Sequence, residues 1–230
     1  MTALTDFNGT YVLDTAHTEI GFTARHAMVT KVRGAFGEFE GSATTGANLA
    51  DARIDVTIQA ASVDTKNADR DNHLRSGDFF DVETYPTIRF SSTSVEAAND
   101  DILRVAGDLT IKDVTRPVVI DFEFEGSALD PFGNQRVGLS GKVDVNRKDF
   151  GLVWNAALET GGVLVSENVT LTFEVSAIKQ ADAEAPAESV VESTESEVVA
   201  EPVVAEPAVE ASEKGGLVGW VKNLFATSNR

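Results

Sequence analysis

The fold is decided by DNHLRSGDFFDVETYPTIRF, residues 71–90. This stretch begins with a polar segment that can form one or two helical turns, passes through the aromatic pair Phe79 and Phe80, and ends in an alternating apolar run. On both sides of it, apolar and polar residues alternate in the manner that is typical of β-strands. One helical insertion in an otherwise all-β chain predicts a cap over one end of a barrel or sandwich.

The alternation recurs along most of the chain. Ile54, Val56 and Ile58 alternate with polar residues, and similar alternating runs occur at residues 103–111, 120–124, 137–145 and 169–175. Together the runs predict about eight strands, each with one apolar face. Parallel sheets covered by helices require strands that are apolar on both faces, and the sequence lacks that pattern. We therefore expect an antiparallel barrel or sandwich, in which closure would remove exposed edges.

Eight strands in a closed barrel surround a small interior, which either is filled by side chains or holds one small ligand. The strand pattern leaves both possibilities open. Gly107 and Gly141 fall on inward faces, and their missing side chains favour a cavity. The predicted fold class is therefore all-β, an eight-stranded antiparallel barrel with a short helical cap.

Composition restricts the partners of the protein. The formal net charge is −18 over 230 residues, and without a clustered basic surface we expect no nucleic-acid partner. The chain has no cysteine, which removes disulfides and thiolate chemistry. The first residues lack the basic and apolar regions of a secretory signal, and no run approaches the roughly 18 apolar residues of a membrane span. We therefore expect a cytoplasmic protein, with membrane association left open.

The composition divides the chain into three parts. Residues 1–179 can bury a core, whereas residues 180–214 form an acidic Glu/Val/Pro/Ala segment that predicts a disordered linker. Residues 215–230 predict a short amphipathic helix with one apolar stripe. The stripe consists of Leu217, Trp220, Val221, Leu224 and Phe225. Because so short a helix is marginal alone, we expect it to contact a membrane surface, a protein partner or its own barrel; the competing interpretation is a frayed end.

Four motifs in this order resemble the YceI-like family of lipocalin-like, polyisoprenoid-binding proteins. They are LDTAHTEIGFTARH from Leu13, the stretch at residues 71–90, GDLTIKDVTRPV from Gly107 and NRKDFGL from Asn146. The resemblance implies an eight-stranded lipocalin-like barrel whose apolar lumen holds a long isoprenoid or similar lipid chain. It implies no catalytic reaction and no cofactor. Many members of the family carry a secretory signal and act in the periplasm.

A lipid chain requires an apolar tube, because it has no group that forms hydrogen bonds along most of its length. Each buried CH₂ contributes about 0.8 kcal/mol, and the cost of immobilisation removes much of the total. The competing interpretation is that the same side chains fill a dry core. The candidate lumen residues are Phe22, Phe36, Phe39, Ile58, Leu74, Phe79, Phe80, Phe90, Leu109, Phe122, Phe124, Leu139, Phe150 and Trp154.

Polar residues in the motifs are candidates for contact with the head group of a lipid. They are His17, His26, His73, Arg75 and Arg147. The histidines lack the spacing of a metal site, so no metal is expected. Arg147 can instead pair with Asp149 or with the capping segment, although an arginine at a barrel mouth can also bind phosphate.

The leading functional prediction is a carrier or store of isoprenoid quinones or polyprenyl chains. The alternative is a protein-interaction module with a solid barrel that acts through its acidic tail and terminal helix. A minor alternative is a hydrolase that uses His73 and Asp71, but the sequence shows no nucleophile motif. We therefore expect no enzymatic activity.

Overall fold

The computed structural model describes residue 4 and residues 7–46, 49–159 and 161–181. The predicted C-terminal helix and all but the first two residues of the predicted acidic linker lie outside the described residues. Within the described part of the chain, none of the helices has the length and apolar character needed to cross a membrane.

One α-helix and a series of strands make up the described residues. The helix, α1, spans Ala68–Arg75, and short 3₁₀ turns lie at Leu49–Asp51, Ala60–Ser62 and Arg147–Phe150. The strands are β1 (Gly9–Leu13), β2 (Glu19–His26), β3 (Thr30–Phe36), β4 (Phe39–Thr45), β5 (Arg53–Gln59), β6 (Val63–Asp64), β7 (Thr87–Ala97), β8 (Ile102–Ile111), β9 (Val114–Leu129), β10 (Gln135–Asn146) and β11 (Asn168–Lys179).

The strands close into one antiparallel barrel. The hydrogen-bonded order is β1-β4-β5-β7-β8-β9-β10-β11, and β1 pairs with β11 to close the ring. The remaining strands prolong this ring, since β2 pairs with β11, β3 with β2 and β6 with β3. The pairs β1/β2, β3/β4 and β5/β6 are thus three long strands, each broken once. This confirms the predicted eight-stranded antiparallel barrel with a short helical cap.

The inward faces follow the period-two pattern of the sequence. Along β8, Leu103, Val105, Leu109 and Ile111 are buried while the intervening residues are more exposed. β7 is interrupted by a bulge between Ser92 and Ser94, and β10 pairs irregularly with β9 at residues 138–139. Such irregularities bend strands and increase their twist, which helps a sheet to close.

Three inward glycines lie directly against phenylalanine rings. A Cβ on Gly107 would lie 2.4 Å from the Phe90 ring, and a Cβ on Gly141 would lie 2.7 Å from the Phe122 ring. Gly34 and Phe22, which face each other across β2 and β3, have the same arrangement. Aromatic rings thus fill the space immediately beside Gly107 and Gly141, so the cavity described below does not lie directly against these two glycines.

The two ends of the barrel are closed differently. One end, the lid end, carries α1, the β2–β3 and β8–β9 turns and the 3₁₀ turn Arg147–Phe150. The other end, the terminal end, carries the start of β1 and the end of β11, and Leu4 and Phe7 are buried there in a separate apolar cluster. The lid end is therefore covered by a helical segment, whereas Leu4 and Phe7 pack at the terminal end.

The polar side of the lid is attached to the barrel by hydrogen bonds. Asn67 caps α1 by accepting from the backbone N–H of Arg70, as expected for an N-cap residue. Asp71, which is 6% exposed, accepts from the backbone N–H and hydroxyl of Thr65 just after β6. The Arg75 guanidinium donates to the carbonyl oxygens of Ala61 and Val63, at 2.7 Å each. These contacts hold α1 against β6.

Candidate functional site

The barrel encloses an apolar cavity of about 260 Å³. Side chains from strands all around the barrel and from the lid line it. The volume exceeds that of a 150 Å³ apolar cavity that binds benzene, and it lies just below the range of roughly 300–1,000 Å³ for ligand pockets. The prediction of a solid barrel, on which the protein-interaction alternative depended, is therefore wrong.

Most of the predicted lumen residues lie in the wall of this cavity. The wall includes Phe22, Phe36, Ile58, Leu74, Phe79, Phe80, Phe90, Leu109, Phe122, Leu139 and Phe150. Their inward direction follows from the period of the strands and, for Leu74, Phe79 and Phe80, from the position of the lid.

Phe39, Phe124 and Trp154 do not belong to the cavity wall. Phe39 packs against the apolar cluster at the lid end, and Phe124 packs against Phe7 with ring centroids 5.6 Å apart. Trp154 stacks edge-on against His73 at 4.6 Å and contacts Phe79 at 5.4 Å. Their rings thus fill neighbouring spaces instead of facing the lumen.

Sequence reasoning missed a second group of wall residues. Their positions on the inward faces of the strands are the signal that could have revealed them, because a side chain need not be large to face the lumen. The missed residues include Tyr11, Ile20, Val105, Ile120, Leu171 and Phe173.

An aromatic layer forms the inner surface of the lid. The turn after α1 contributes Phe79 and Phe80, which are 6% and 9% exposed. Phe80 packs against Phe36 at 5.8 Å, while Phe79 packs against His73 at 5.0 Å. Asp71 is the buried residue of α1 itself, so the turn, and not the helix, provides most of the apolar cover.

Three of the predicted head-group residues lie outside the cavity wall with local partners. His17 is exposed and contacts Asp14 at 2.7 Å. His73 Nε2 contacts Asp78 Oδ2 at 2.9 Å, and Arg75 binds the backbone carbonyls that secure α1. His26, which is also outside the wall, is exposed at the end of β2, where its backbone bridges to Val165.

Arg147 is the predicted head-group residue that does line the cavity. Its side chain is 6% exposed, and it donates through Nε to the carbonyl of Ser166 at 2.9 Å and through Nη1 to the carbonyl of Leu152. The predicted pairing with Asp149 is wrong, because the hydrogen bonds of the guanidinium go to these two backbone carbonyls and none goes to Asp149. The guanidinium does contact the lid, with its carbon 6.0 Å from the centre of the Phe79 ring.

Burial shifts the pKa values of two ionisable groups in the cavity wall. It lowers the pKa of the Arg147 guanidinium, and the charge of Glu167 partly offsets that effect. It also raises the pKa of the Tyr11 hydroxyl, so this phenol stays neutral at physiological pH.

The acid–base pair of the hydrolase alternative is not assembled. His73 binds Asp78, whereas the Asp71 carboxylate is buried against Thr65. The described residues also contain no cluster of three or more His, Cys, Asp or Glu side chains that could hold a metal ion.

These features define the class of the protein as a closed antiparallel barrel with an apolar interior beneath a helical lid. Several known proteins share the fold. A YCEI protein of Campylobacter jejuni is 32% identical, with a TM-score of 0.59 over 74% of this chain and 97% of that one. A polyisoprenoid binding domain from Saccharophagus degradans is 15% identical, with a TM-score of 0.58 over 74% of this chain and 98% of that one, and shows the fold alone.

The sequence comparisons give the family. The model of the YceI-like domain matches residues 11–177. A UPF0312 protein of Staphylococcus aureus is 38% identical over 169 residues, which cover 73% of this chain and 95% of the relative. The chain therefore belongs to the YceI-like family, as the four sequence motifs predict.

Proposed function

We propose that this protein binds an isoprenoid or similar long-chain lipid inside its barrel and acts as a carrier or store for it. The observation that supports this most is the apolar cavity of about 260 Å³ within a closed barrel. A polyisoprenoid binding domain with the same fold adds support from outside the chain.

The cavity suits a hydrocarbon chain better than a polar metabolite. Its wall consists almost wholly of aliphatic and aromatic side chains, so a sugar or nucleotide would lose its hydrogen bonds to water without replacement. A hydrocarbon has no hydrogen bonds to water to lose, and each CH₂ that leaves water contributes about 0.8 kcal/mol. Several buried CH₂ groups thus suffice for binding after the cost of immobilisation.

The lid provides the route of entry in this proposal. Hydrogen bonds from Asp71 and Arg75 attach the helix to β6, whereas Phe79 and Phe80 cover the cavity by aromatic packing. Outward movement of the turn after α1 would open the lumen while the helix stays attached. A chain could then enter along the barrel axis.

Filling the lumen tests the proposal. Val143 lines the cavity from β10, and Val143→Phe would place a ring in the space that the lipid requires. Val119 is 54% exposed on β9, so Val119→Phe is a matched control on the outer surface. We expect Val143→Phe to weaken uptake of a long-chain isoprenoid quinone at least tenfold, measured by titration with the folded proteins, and Val119→Phe to leave uptake unchanged.

Circular dichroism would verify that both variants are folded, since an added ring in a core can cost about 1–3 kcal/mol. Equal uptake by the two folded variants would place the binding site elsewhere. Failure of the unaltered protein to take up any long-chain lipid would remove the proposal altogether.

A further inference from the structure

Two buried side-chain polar atoms lack a hydrogen-bond partner among the described residues. They are Arg147 Nη2 and Tyr11 Oη. Both residues belong to the wall of the same cavity, one near the lid end and one near the terminal end. Buried polar atoms are nearly always hydrogen-bonded in proteins, so each such exception requires an explanation.

The surroundings of Arg147 account for two of its donor groups. Nε and Nη1 donate to the carbonyls of Ser166 and Leu152, which joins the 3₁₀ turn to the segment before β11. A structural role for the side chain therefore explains these two donors. It does not explain Nη2, which is buried without an acceptor.

The positive charge of Arg147 also lacks an ion-pair partner. Within the described residues, no carboxylate lies at salt-bridge distance from it, and the nearby Glu167 carboxylate binds Lys148. Arginine stays protonated in proteins, and a buried charge is unfavourable unless it is paired. An anionic oxygen is the acceptor that would offset both the unpaired charge and the unused N–H donors.

Phe79 of the lid lies against this guanidinium. Its ring centre lies 6.0 Å from the guanidinium carbon, and the same ring lines the cavity and packs against His73. A movement of Phe79 with the lid would therefore uncover Nη2 at the moment when the lumen opens.

We infer that Arg147 Nη2 binds an anionic oxygen, of a carboxylate or a phosphate, at the end of the lipid chain, with the chain directed towards Tyr11. This inference rests on the proposed function, and it makes the ligand a lipid acid held head-first beneath the lid. Charge-assisted hydrogen bonds are about twice as strong as neutral ones. The head group therefore belongs at Arg147, and not at the neutral Tyr11 hydroxyl.

The distance between Arg147 and Tyr11 along the barrel sets the length of the lipid chain. Arg147 follows Asn146, which pairs with Asn168 on β11. Tyr11 pairs with Lys179 on the same strand, eleven residues further along, so these eleven residues separate the levels of Arg147 and Tyr11 along the barrel. At about 3.3 Å per residue and a strand tilt of about 35–45°, the levels lie roughly 25–30 Å apart along the barrel. A long unbranched or isoprenoid chain fits that span.

A series of probes with one chain and different head groups tests the inference. The isoprenoid arm compares geranylgeranyl monophosphate with geranylgeraniol, and the fatty arm compares arachidic acid with arachidyl alcohol. Affinity would be measured by displacement of a fluorescent long-chain probe. In at least one arm, the unaltered protein should prefer the acid to its alcohol by tenfold or more, and the arm that does so identifies the head group.

Variants assign this preference to a residue. Arg147→Gln should remove the preference for the acid while the alcohol still binds, and Arg147→Lys should retain part of it. Arg104→Gln, on the outer surface, should leave it intact.

Equal affinity for acid and alcohol in both arms would overturn the inference while the proposed function stands, and so would an undiminished preference for the acid in Arg147→Gln. Absence of binding by every probe would instead contradict the proposed function. If Arg147→Gln does not fold, the comparison of head groups on the unaltered protein still decides between these results.

Discussion

Phenylalanine rings beside glycines shape the interior at the scale of single residues. Phe22, Phe90 and Phe122 each occupy the space where an inward glycine has no side chain. Aromatic rings that cover glycines on a neighbouring strand stabilise sheets and help to set their register. The same three rings line the cavity of about 260 Å³.

Gly141→Val tests the importance of this packing. The new Cβ would lie 2.7 Å from the Phe122 ring, so the ring or the strand must shift. We expect the free energy of unfolding to fall by about 1–3 kcal/mol, measured by urea denaturation. Gly77→Val is the matched control, because no atom lies within 4 Å of that Cβ, and its effect should stay within about 0.5 kcal/mol.

The double variant Gly141→Val with Phe122→Leu separates steric conflict from other effects. If the conflict with the ring is the cause, the smaller side chain should relieve it, and the double variant should be more stable than the sum of the two single changes implies. Strictly additive changes would show that the ring and the glycine are independent.

At the scale of elements, an ionic cluster joins the β9–β10 hairpin to β1 at the terminal end. The Arg136 side chain on β10 donates to the Asp130 carboxylate at 2.8 Å and to the Asp14 carboxylate just after β1. The Arg136 guanidinium is the main cause of the lowered pKa of Asp14, and His17 adds to the effect. The pKa of Asp130 is lowered by the side chain and backbone N–H of Asn134 and by Arg136.

These lowered pKa values predict a pH dependence of stability. A carboxyl with a lowered pKa in the folded state contributes stability above its unfolded value of about 3.9 and loses that contribution as the pH falls through the folded pKa. Arg136→Gln should therefore be less stable than the unaltered protein at pH 7, and the difference should shrink below about pH 4. Urea midpoints at pH 7 and pH 3 would measure it.

Arg116→Gln is the control, because that exposed arginine donates to the backbone carbonyl of Thr115 and, among the residues that the structure describes, to no carboxylate. It should follow the pH dependence of the unaltered protein. A difference between Arg136→Gln and the unaltered protein that stays constant from pH 7 to pH 3 would contradict the ionic account.

At the scale of the whole molecule, the period-two pattern predicts the barrel because each strand buries one face. The same pattern cannot show the breaks between β1 and β2 or between β3 and β4, which depend on how a long strand bends during closure. The alternating pattern of β10 also ends at Asn146, so the neighbouring sequence does not show that the Arg147 side chain turns inward. His17 and His26 are equally suggestive in sequence, yet both are exposed in the folded chain.

The candidate site shows the same limit. The large aromatic residues of the wall can be predicted from the sequence, because they are both large and at the inward-facing positions of the alternating pattern. Trp154 and Phe124 satisfy the same criteria but stack on His73 and Phe7 instead. Whether an inward ring lines a lumen or fills a core depends on its neighbours across the barrel, and a strand pattern does not contain that information.

Native mass spectrometry of the gently purified protein tests the central proposal most directly. A lipid in the cavity would travel with the folded barrel, so we expect a species heavier than the polypeptide by the mass of one long-chain lipid, lost on unfolding. The proposal would be contradicted if the protein has the bare polypeptide mass and still takes up no added long-chain quinone or lipid acid.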